Sequence, residues 1–353
     1  MALRASKPSF NVREKLTELD RRFGLKGSEL VAAETIQDAR DLVSAGRKNL
    51  IINGSMEIAQ RGTSGTKSGS AYGGYLCVDR WACYYDDTTM EQVERTINGK
   101  LKKALKVTAA GSNGRPYVYH KIENSSKILG DGTQFSISFW MRSSASTRQQ
   151  LQWRYYDNGT ENNSSNSNIV VIDVSTEWKY YKIENISVID ASQNRTRDGG
   201  LWIYNTSGDV GSGLWIEFTD VQVELGKQCT DFEHRSYGEE LARCQRYYQK
   251  VINSAGGTAR TFVMGAYVVT RAFGGYPLST PMRSDPDVTF SGLKLERLNL
   301  SASYTVTDAN TYQTMIGSNA QSMEFNVASG LTGNTAYYVS FDSGGYLAFD
   351  SEL

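Results

Sequence analysis

Five side chains able to contact a sugar stand at alternate positions of two neighbouring segments: Trp140, Arg142, Gln152, Arg154 and Tyr156. Aromatic faces stack on sugar rings, and guanidinium and amide groups hydrogen-bond to hydroxyls. If the two segments pair as strands, these side chains form an aromatic–guanidinium–amide patch on one sheet face that suits a glycan. The same side chains also suit a contact with another subunit or a neighbouring domain, because large aromatics are favoured at interfaces.

A second group of aromatic residues lies near the end of the sequence. Tyr337, Tyr338 and Tyr346 concentrate rings in a short stretch. Tyrosine offers a large contact area at a small entropic cost, so these rings are candidate contacts to a receptor glycan. Packing of the same rings around a trimer axis is the alternative.

Three carboxylates, Glu217, Asp220 and Glu224, fall in one strand-like region. Paired carboxylates could hydrolyse glycosides, and oxygen-rich strand edges could hold calcium. The spacing alone supports neither reading. We therefore predict no catalytic residue, no metal ligand and no cofactor.

Composition and motifs exclude several classes of function. The 38 basic and 38 acidic residues balance, so no excess charge favours nucleic acid or an anionic membrane. No apolar run approaches the roughly 20 residues of a membrane span, and no secretory signal is visible. Phosphate-loop, dinucleotide-binding and serine-hydrolase motifs are absent from the sequence.

The four cysteines lack Cys-x-x-Cys spacing, which argues against zinc. A disulfide between Cys77 and Cys83 stays possible, although we favour reduced, partly buried thiols.

The elements that would position these residues are mainly β-strands. From Leu50 onward, short runs alternate apolar and polar residues, as Phe135 to Arg142 does, which is typical of half-buried antiparallel strands. We predict a mainly β fold in which a jelly-roll-like β-sandwich spans residues 47–235. A short linking helix at 236–251 and a C-terminal β-rich domain at 252–353 follow.

The first 46 residues carry a helical pattern instead. Two amphipathic helices are predicted, and their apolar positions are Val12, Leu16, Leu19, Phe23, Leu30, Ile36 and Val43. Neither helix can bury its apolar stripe alone, so each needs a sister chain or a docking protein. A helical hairpin folded back on its own domain is the alternative.

Three segments together resemble a known family. They are Asn49–Ser64 (NLIINGSMEIAQRGTS), Val78–Trp81 (VDRW) and Phe232–Tyr248 (FEHRSYGEELARCQRYY). They are similar to the lectin-like β-sandwich module of bacteriophage tail fibres, especially those of marine and cyanobacterial podoviruses. The likeness covers roughly residues 47–250 and is looser in the final hundred residues.

The resemblance implies a non-enzymatic virion adhesin. Such a fibre is a homotrimer whose N-terminal segment attaches to a tail adaptor or nozzle protein and whose β-domains bind host surface polysaccharide. It neither binds nucleic acid nor inserts into a membrane. Production in the reducing bacterial cytoplasm favours free thiols. The alternatives are a polysaccharide depolymerase of the tailspike kind and a purely structural spacer. The resemblance does not indicate whether the sandwich or the C-terminal domain reads the receptor, and we expect the latter.

Overall fold

The computed structural model describes residues 48–67, 73–84, 87–109, 116–129, 132–157, 160–161, 169–187, 199–206, 211–254, 256–312 and 320–352. The predicted helices of residues 1–46 lie outside these ranges, together with Val12, Leu16, Leu19, Phe23, Leu30, Ile36 and Val43. The described chain is mainly β, as the sequence predicts. None of the helices in these ranges has the length and apolar character to cross a membrane.

The strands divide into two groups along the chain. The first group comprises β1 (Ser64–Thr66), β2 (Gly74–Tyr75), β3 (Ala82–Cys83), β4 (Thr88–Ile97), β5 (Lys100–Ala109), β6 (Tyr117–Ile122), β7 (Gln134–Ser143), β8 (Thr147–Asp157), β9 (Thr160–Glu161), β10 (Ile169–Val174), β11 (Lys179–Ser187), β12 (Gly199–Asn205) and β13 (Trp215–Leu225). A one-turn helix, α1 (Ser125–Ile128), lies between β6 and β7. The second group follows the helix α2 (Tyr237–Gln245) and comprises β14 (Tyr248–Ile252), β15 (Ala259–Val268), β16 (Arg271–Pro277), β17 (Asp287–Arg297), β18 (Ser303–Tyr312), β19 (Ala320–Val327) and β20 (Thr335–Asp350).

The first group folds as a β-sandwich. Sheet A has the order β1-β4-β5-β13-β7-β11, and sheet B has the order β10-β8-β12-β6-β3-β2. Their inner faces share one apolar core, to which β7 contributes Phe135, Ile137, Phe139 and Met141. The alternation predicted for this strand is thereby confirmed.

The condition for a single patch, that the two segments pair as strands, is not met. Strand β7 lies between β13 and β11 in sheet A, whereas β8 lies between β10 and β12 in sheet B. The chain crosses from one sheet to the other between Ser143 and Thr147, so β7 and β8 do not pair. Their outward side chains therefore lie on opposite outer faces of the molecule.

The segments that carry the family resemblance meet at the base of the sandwich around Asn53. The Asn53 amide N–H donates to Glu240 Oε1 at 2.5 Å, and its Nδ2 donates to the carbonyls of Ile58 and Asp79 at 2.8 and 2.9 Å. The indole of Trp81 donates to the Asn53 carbonyl at 3.2 Å. Asn53 thus joins all three segments through one buried side chain and its backbone.

Arg235 fastens the same region from the other side. Its guanidinium donates to the carbonyls of Asn49 and Ile51 at 2.5 and 3.0 Å. Gly54 is also fixed by packing, because a Cβ at this position would lie 2.2 Å from the Val221 carbonyl oxygen. These motif residues therefore have structural roles at the base of the sandwich.

The linking helix is shorter than predicted. Helix α2 begins after Ser236, whose Oγ accepts from the Glu239 N–H at 3.3 Å, and ends at Gln245. Residues 248–252, which the sequence assigns mostly to this helix, form strand β14 and pair with β20. The long-range pairing of β14 with β20 thus overrides the local helical periodicity.

The C-terminal strands close into a small barrel. Strands β20, β15, β16, β19, β18 and β17 follow one another, and β17 pairs with both β18 and β20. Its interior is filled by a separate apolar cluster that includes Met323, Phe325, Phe341 and Phe349. The C-terminal β-rich region is therefore a closed antiparallel barrel with its own core.

A buried ionic junction joins the sandwich to the barrel. The Arg80 guanidinium lies 3.5 Å from the ring centroid of Tyr247, and Arg61 lies 3.6 Å from that of Tyr248. Both arginines also form ion pairs with Glu352 near the end of the chain. Cation–π stacking and ion pairing thus connect the two cores directly.

Candidate functional site

Part of the outer face of sheet A is covered by the chain that leaves the sandwich. Residues 226–235 run across it, and Ser136 Oγ donates to the Gly226 carbonyl at 3.0 Å. Thr230 donates to Glu224 through its N–H at 2.8 Å and through its hydroxyl at 2.7 Å. This end of the face is consequently closed to ligands.

The other part of this outer face is open. We call it the Arg142 face; it comprises Arg95, Trp140, Arg142, Trp178, Tyr180, Trp215 and Glu217. Register places Arg142 opposite Glu217 of β13, and Trp140 opposite Tyr180 of β11. The four aromatic side chains and Arg142 are half-buried, so part of each remains accessible to solvent.

Glu217 anchors the Arg142 face. Its carboxylate accepts from Arg95 at 2.7 and 3.0 Å and from Arg142 Nε at 2.9 Å, and Arg142 Nη2 forms an ion pair with it at 2.8 Å. Burial alone would raise the pKa of Glu217, but the hydrogen bonds and charges of the two arginines bring that pKa below its ordinary value. Glu217 is therefore an ionised anchor that fixes the Arg142 guanidinium in place.

Tryptophans lie beside this fixed guanidinium. The Arg142 guanidinium carbon lies 5.2 Å from the ring centroid of Trp178 and 5.4 Å from that of Trp215. Trp140 and Tyr180 form a second ring pair at 5.3 Å. Rings held next to a guanidinium offer stacking surfaces and directed donors at the same place, which is the combination that sugar recognition uses.

The outer face of sheet B holds a different aromatic cluster. We call it the tyrosine face; it comprises Tyr84, Tyr117, Tyr119, Gln152, Arg154, Trp202 and Tyr204. The Arg154 guanidinium carbon lies 5.5 Å from the ring centroids of both Trp202 and Tyr204. Gln152 Oε1 accepts from Arg154 Nε at 2.8 Å and from the Tyr204 hydroxyl at 2.9 Å.

Burial distinguishes the tyrosine face from the Arg142 face. The Trp202 ring stacks on Tyr119 at 5.2 Å and is fully buried, and Tyr117 and Tyr204 are 3 % and 7 % exposed. These rings act as a small accessory core, whereas Arg154 and Tyr84 are half-buried. A sugar could reach the edge of this cluster but not the faces of its buried rings.

The five sequence candidates of the sandwich are therefore divided. Trp140 and Arg142 lie on the Arg142 face, and Gln152 and Arg154 lie on the tyrosine face. Tyr156 belongs to β8, but its side chain lies outside the described part of the structure. The predicted single patch is corrected to two faces on opposite sides of the sandwich.

The C-terminal tyrosines also differ from one another. Tyr337 is fully buried in the barrel core, and its hydroxyl accepts from the Thr332 N–H at 2.8 Å. Its prediction as a receptor contact is wrong, because no ligand can reach the ring. Tyr338 and Tyr346 are half-buried, and Lys250 Nζ lies 4.6 Å from the Tyr346 ring centroid.

The remaining carboxylates have structural partners. Asp220 pairs with Lys102, and Glu224 binds the backbone and hydroxyl of Thr230. In the ranges that the structure describes, no group of three His, Cys, Asp or Glu residues is placed to hold a metal ion. The cysteines are all buried and free, and burial raises the pKa of Cys77 to about 12.

Sequence reasoning missed Trp178, Trp215, Tyr180 and Arg95 as members of the Arg142 face. Trp215 and Glu217 alternate with the buried Ile216, so the period-two pattern already placed them outward. Trp178 precedes β11, and only the pairing of β11 with β7 brings it beside Arg142. That pairing has no local signature.

No protein-family model matches the chain, and no curated protein matches it. Solved structures are similar to about half of the chain. TmCBM61 in complex with β-1,4-galactotriose is 13% identical, with a TM-score of 0.29, over 51% of this chain and 99% of that one. The family 11 carbohydrate-binding module from Clostridium thermocellum, in complex with a mixed-linked tetrasaccharide, is 14% identical, with a TM-score of 0.27, over 47% of this chain and 100% of that one.

A third similar structure is larger. The enzymatically active domain of tailspike protein 4 from bacteriophage CBA120 is 13% identical, with a TM-score of 0.32, over 50% of this chain. The match spans 21% of that structure.

Proposed function

We propose that this protein is a non-catalytic carbohydrate-binding adhesin and that the Arg142 face of its sandwich contacts the glycan. The observation that carries the proposal is the set of half-buried tryptophans beside an arginine that Glu217 fixes. Sugar rings stack on accessible aromatic faces, and a preorganised guanidinium donates to their oxygens without first losing conformational freedom. The tyrosine face offers fewer accessible ring surfaces and is the second choice.

Binding by the intact chain to an array of bacterial surface polysaccharides tests the proposal. Replacing Trp178 and Trp215 together by alanine should weaken binding by at least about tenfold, since each stacked aromatic contributes on the order of 1 kcal/mol. The matched control is Tyr237→Ala, because this ring is 62 % exposed on the linking helix and belongs to neither face. The control should bind as the unmodified protein does.

Three outcomes would contradict this proposal. If the double tryptophan variant binds normally while Arg154→Ala and Tyr84→Ala abolish binding, the tyrosine face is the site. If the folded protein binds no polysaccharide on the array, the adhesin proposal fails and a structural spacer is the better description. Shortening of a bound polymer would instead indicate a depolymerase, although Glu217, Asp220 and Glu224 are each engaged by structural partners.

We further propose that the adhesin is a bacteriophage tail fibre, made in the bacterial cytoplasm and located on the virion. The support is the resemblance of its three motif segments to tail-fibre modules and the amphipathic pattern of residues 1–46. In this proposal the chain is a homotrimer, and its N-terminal segment attaches to a tail adaptor or nozzle protein. Light scattering that gives a monomer mass at micromolar concentration would contradict the trimer.

The attachment role has its own test. Deleting residues 1–46 should leave the sandwich and barrel folded, because both described cores are built from residues after 48. The truncated protein should fail to join virions in a complementation assay. Normal incorporation would place the anchor elsewhere in the chain.

A further inference from the structure

The Arg142 face carries an unbalanced positive charge. Arg95 and Arg142 share one carboxylate, that of Glu217, so two cations face one anion. The neighbouring Lys106 is balanced by Glu91 at 3.2 Å. Within the described residues, the Arg95–Glu217–Arg142 group therefore retains a net charge of about plus one at neutral pH.

This excess charge is on the solvent side of the group. The side chains of Arg95 and Arg142 are 33% and 26% exposed, whereas that of Glu217 is 1% exposed. The anion is buried beneath its two partners, and the positive charge is presented outward. An incoming anion would meet the guanidinium groups first.

Arg142 also retains a donor for a ligand. Its Nε and Nη2 both contact Glu217 Oε2, at 2.9 and 2.8 Å. In the part of the chain that the structure describes, its Nη1 has no hydrogen-bond partner, whereas Nη1 of Arg95 donates to the Glu94 carbonyl at 2.9 Å. Arg142 is thus the guanidinium of this pair with hydrogen-bonding capacity left over.

We propose that the Arg142 face selects an acidic glycan and that a carboxylate or sulfate oxygen of the sugar binds the Arg142 guanidinium while the sugar ring stacks on Trp178 or Trp215. Charge-assisted hydrogen bonds between a guanidinium and an oxyanion are stronger than hydrogen bonds between neutral groups, which gives the acidic sugar its advantage. This inference rests on the proposed glycan-binding function and adds the chemical class of the ligand.

The test uses pairs of polymers that share a backbone and differ in charge. The intact chain is passed over immobilised polygalacturonate and its carboxyl-reduced form, and over dextran sulfate and dextran. We expect retention on at least one acidic polymer to be at least about tenfold stronger than on its neutral counterpart and to weaken as salt rises. Preference within the first pair identifies a carboxylate ligand, and preference within the second identifies a sulfate ligand.

Matched variants locate the effect on Arg142. Arg142→Gln should abolish the preference for the acidic polymer, and Arg142→Lys should keep a weaker preference because it keeps the charge but loses the planar fork. Lys100→Gln removes an equal charge from an exposed position of the same sheet and should change little. Circular dichroism of each variant checks folding, and if Arg142→Gln does not fold, Arg142→Lys carries the test, since an undiminished acid preference in that variant would overturn the inference.

The possible failures are distinguishable. Equal retention on charged and neutral polymers, lost in the double tryptophan variant, would overturn the acidic-glycan inference and leave the adhesin proposal intact. An acid preference that survives Arg142→Gln would overturn the inference as well. Retention on none of the four polymers also overturns it, and the polysaccharide array then decides the adhesin proposal separately.

Discussion

His120 shows how a single residue in the motif-rich base of the sandwich sets a pH dependence. The ring is fully buried, lies 5.1 Å from the Trp81 ring, and has its Nε2 3.0 Å from the Ile52 carbonyl. Burial first, and then the charge of Arg80, lower the pKa of His120 well below its ordinary value of 6.5. The imidazole is consequently neutral in the folded protein.

We predict that the protein loses stability on acidification because of His120. Below pH 6.5 the unfolded chain takes up a proton on this residue and the folded chain does not. The contribution of His120 to the free energy of unfolding is fully present above this pH. It declines as the pH falls, by up to about 1.4 kcal/mol per pH unit. Urea unfolding of the protein and of His120→Gln between neutral and mildly acidic pH measures the difference.

The variant removes the titrating ring, so its unfolding free energy should depend less steeply on pH than that of the unmodified protein. His234→Gln is the control, because it removes an exposed imidazole. Equal slopes for the protein and for His120→Gln would show that His120 takes up its proton equally in the folded and unfolded states.

At the scale of elements, the short helix α2 helps to hold the base of the sandwich together. Its N-cap is Ser236, and Glu240 in its first turns accepts from the Asn53 N–H. We predict that Ser236→Ala lowers the free energy of unfolding by about 1 kcal/mol, because one N–H of the first turn loses its acceptor. Ser236→Asp keeps an acceptor and should retain most of the stability. An equal loss in the aspartate and alanine variants would show that the loss does not come from the missing side-chain acceptor at the N-cap.

Sequence patterns indicated the type of most elements but not their partners. The alternation in β7 and in residues 151–154 of β8 correctly showed which side chains point outward, since the period of two is a local property. It could not assign the strands to different sheets, so Trp140 and Arg154 were expected on one face. Strand β14 was missed for the same reason, because its pairing with β20 joins residues about a hundred positions apart.

The same difference between local patterns and strand pairing explains which candidate site residues the sequence identified. Arg142 and Trp140 were found because alternation marks outward residues, and Tyr337 was misjudged because no pattern revealed a closed barrel around it. A triple alanine variant of the C-terminal tyrosines would therefore remove a core ring together with two half-buried ones. Its effect on adsorption would reflect lost folding as well as lost contact.

At the scale of the whole molecule, the junction determines whether the sandwich and the barrel behave as one unit. Arg80 is fully buried, stacks on Tyr247, pairs with Glu352 and donates to the Lys121 carbonyl at 2.7 Å. Removing one member of such a group strongly destabilises the interface, because the remaining charges stay buried without their partner. A rigid junction would also hold the Arg142 face at a fixed orientation relative to the barrel.

We predict that Arg80→Met lowers the free energy of unfolding by about 3–5 kcal/mol and uncouples the two cores. Scanning calorimetry should show one transition for the protein and two for the variant, because the two cores then unfold separately. Arg260→Met is the matched control, since the Arg260–Glu296 pair is 2.7 Å long but partly exposed, and it should cost less than about 1 kcal/mol. A single transition that is retained in Arg80→Met, with a shift no larger than that of the control, would show that the two cores are coupled by the remaining contacts of the junction.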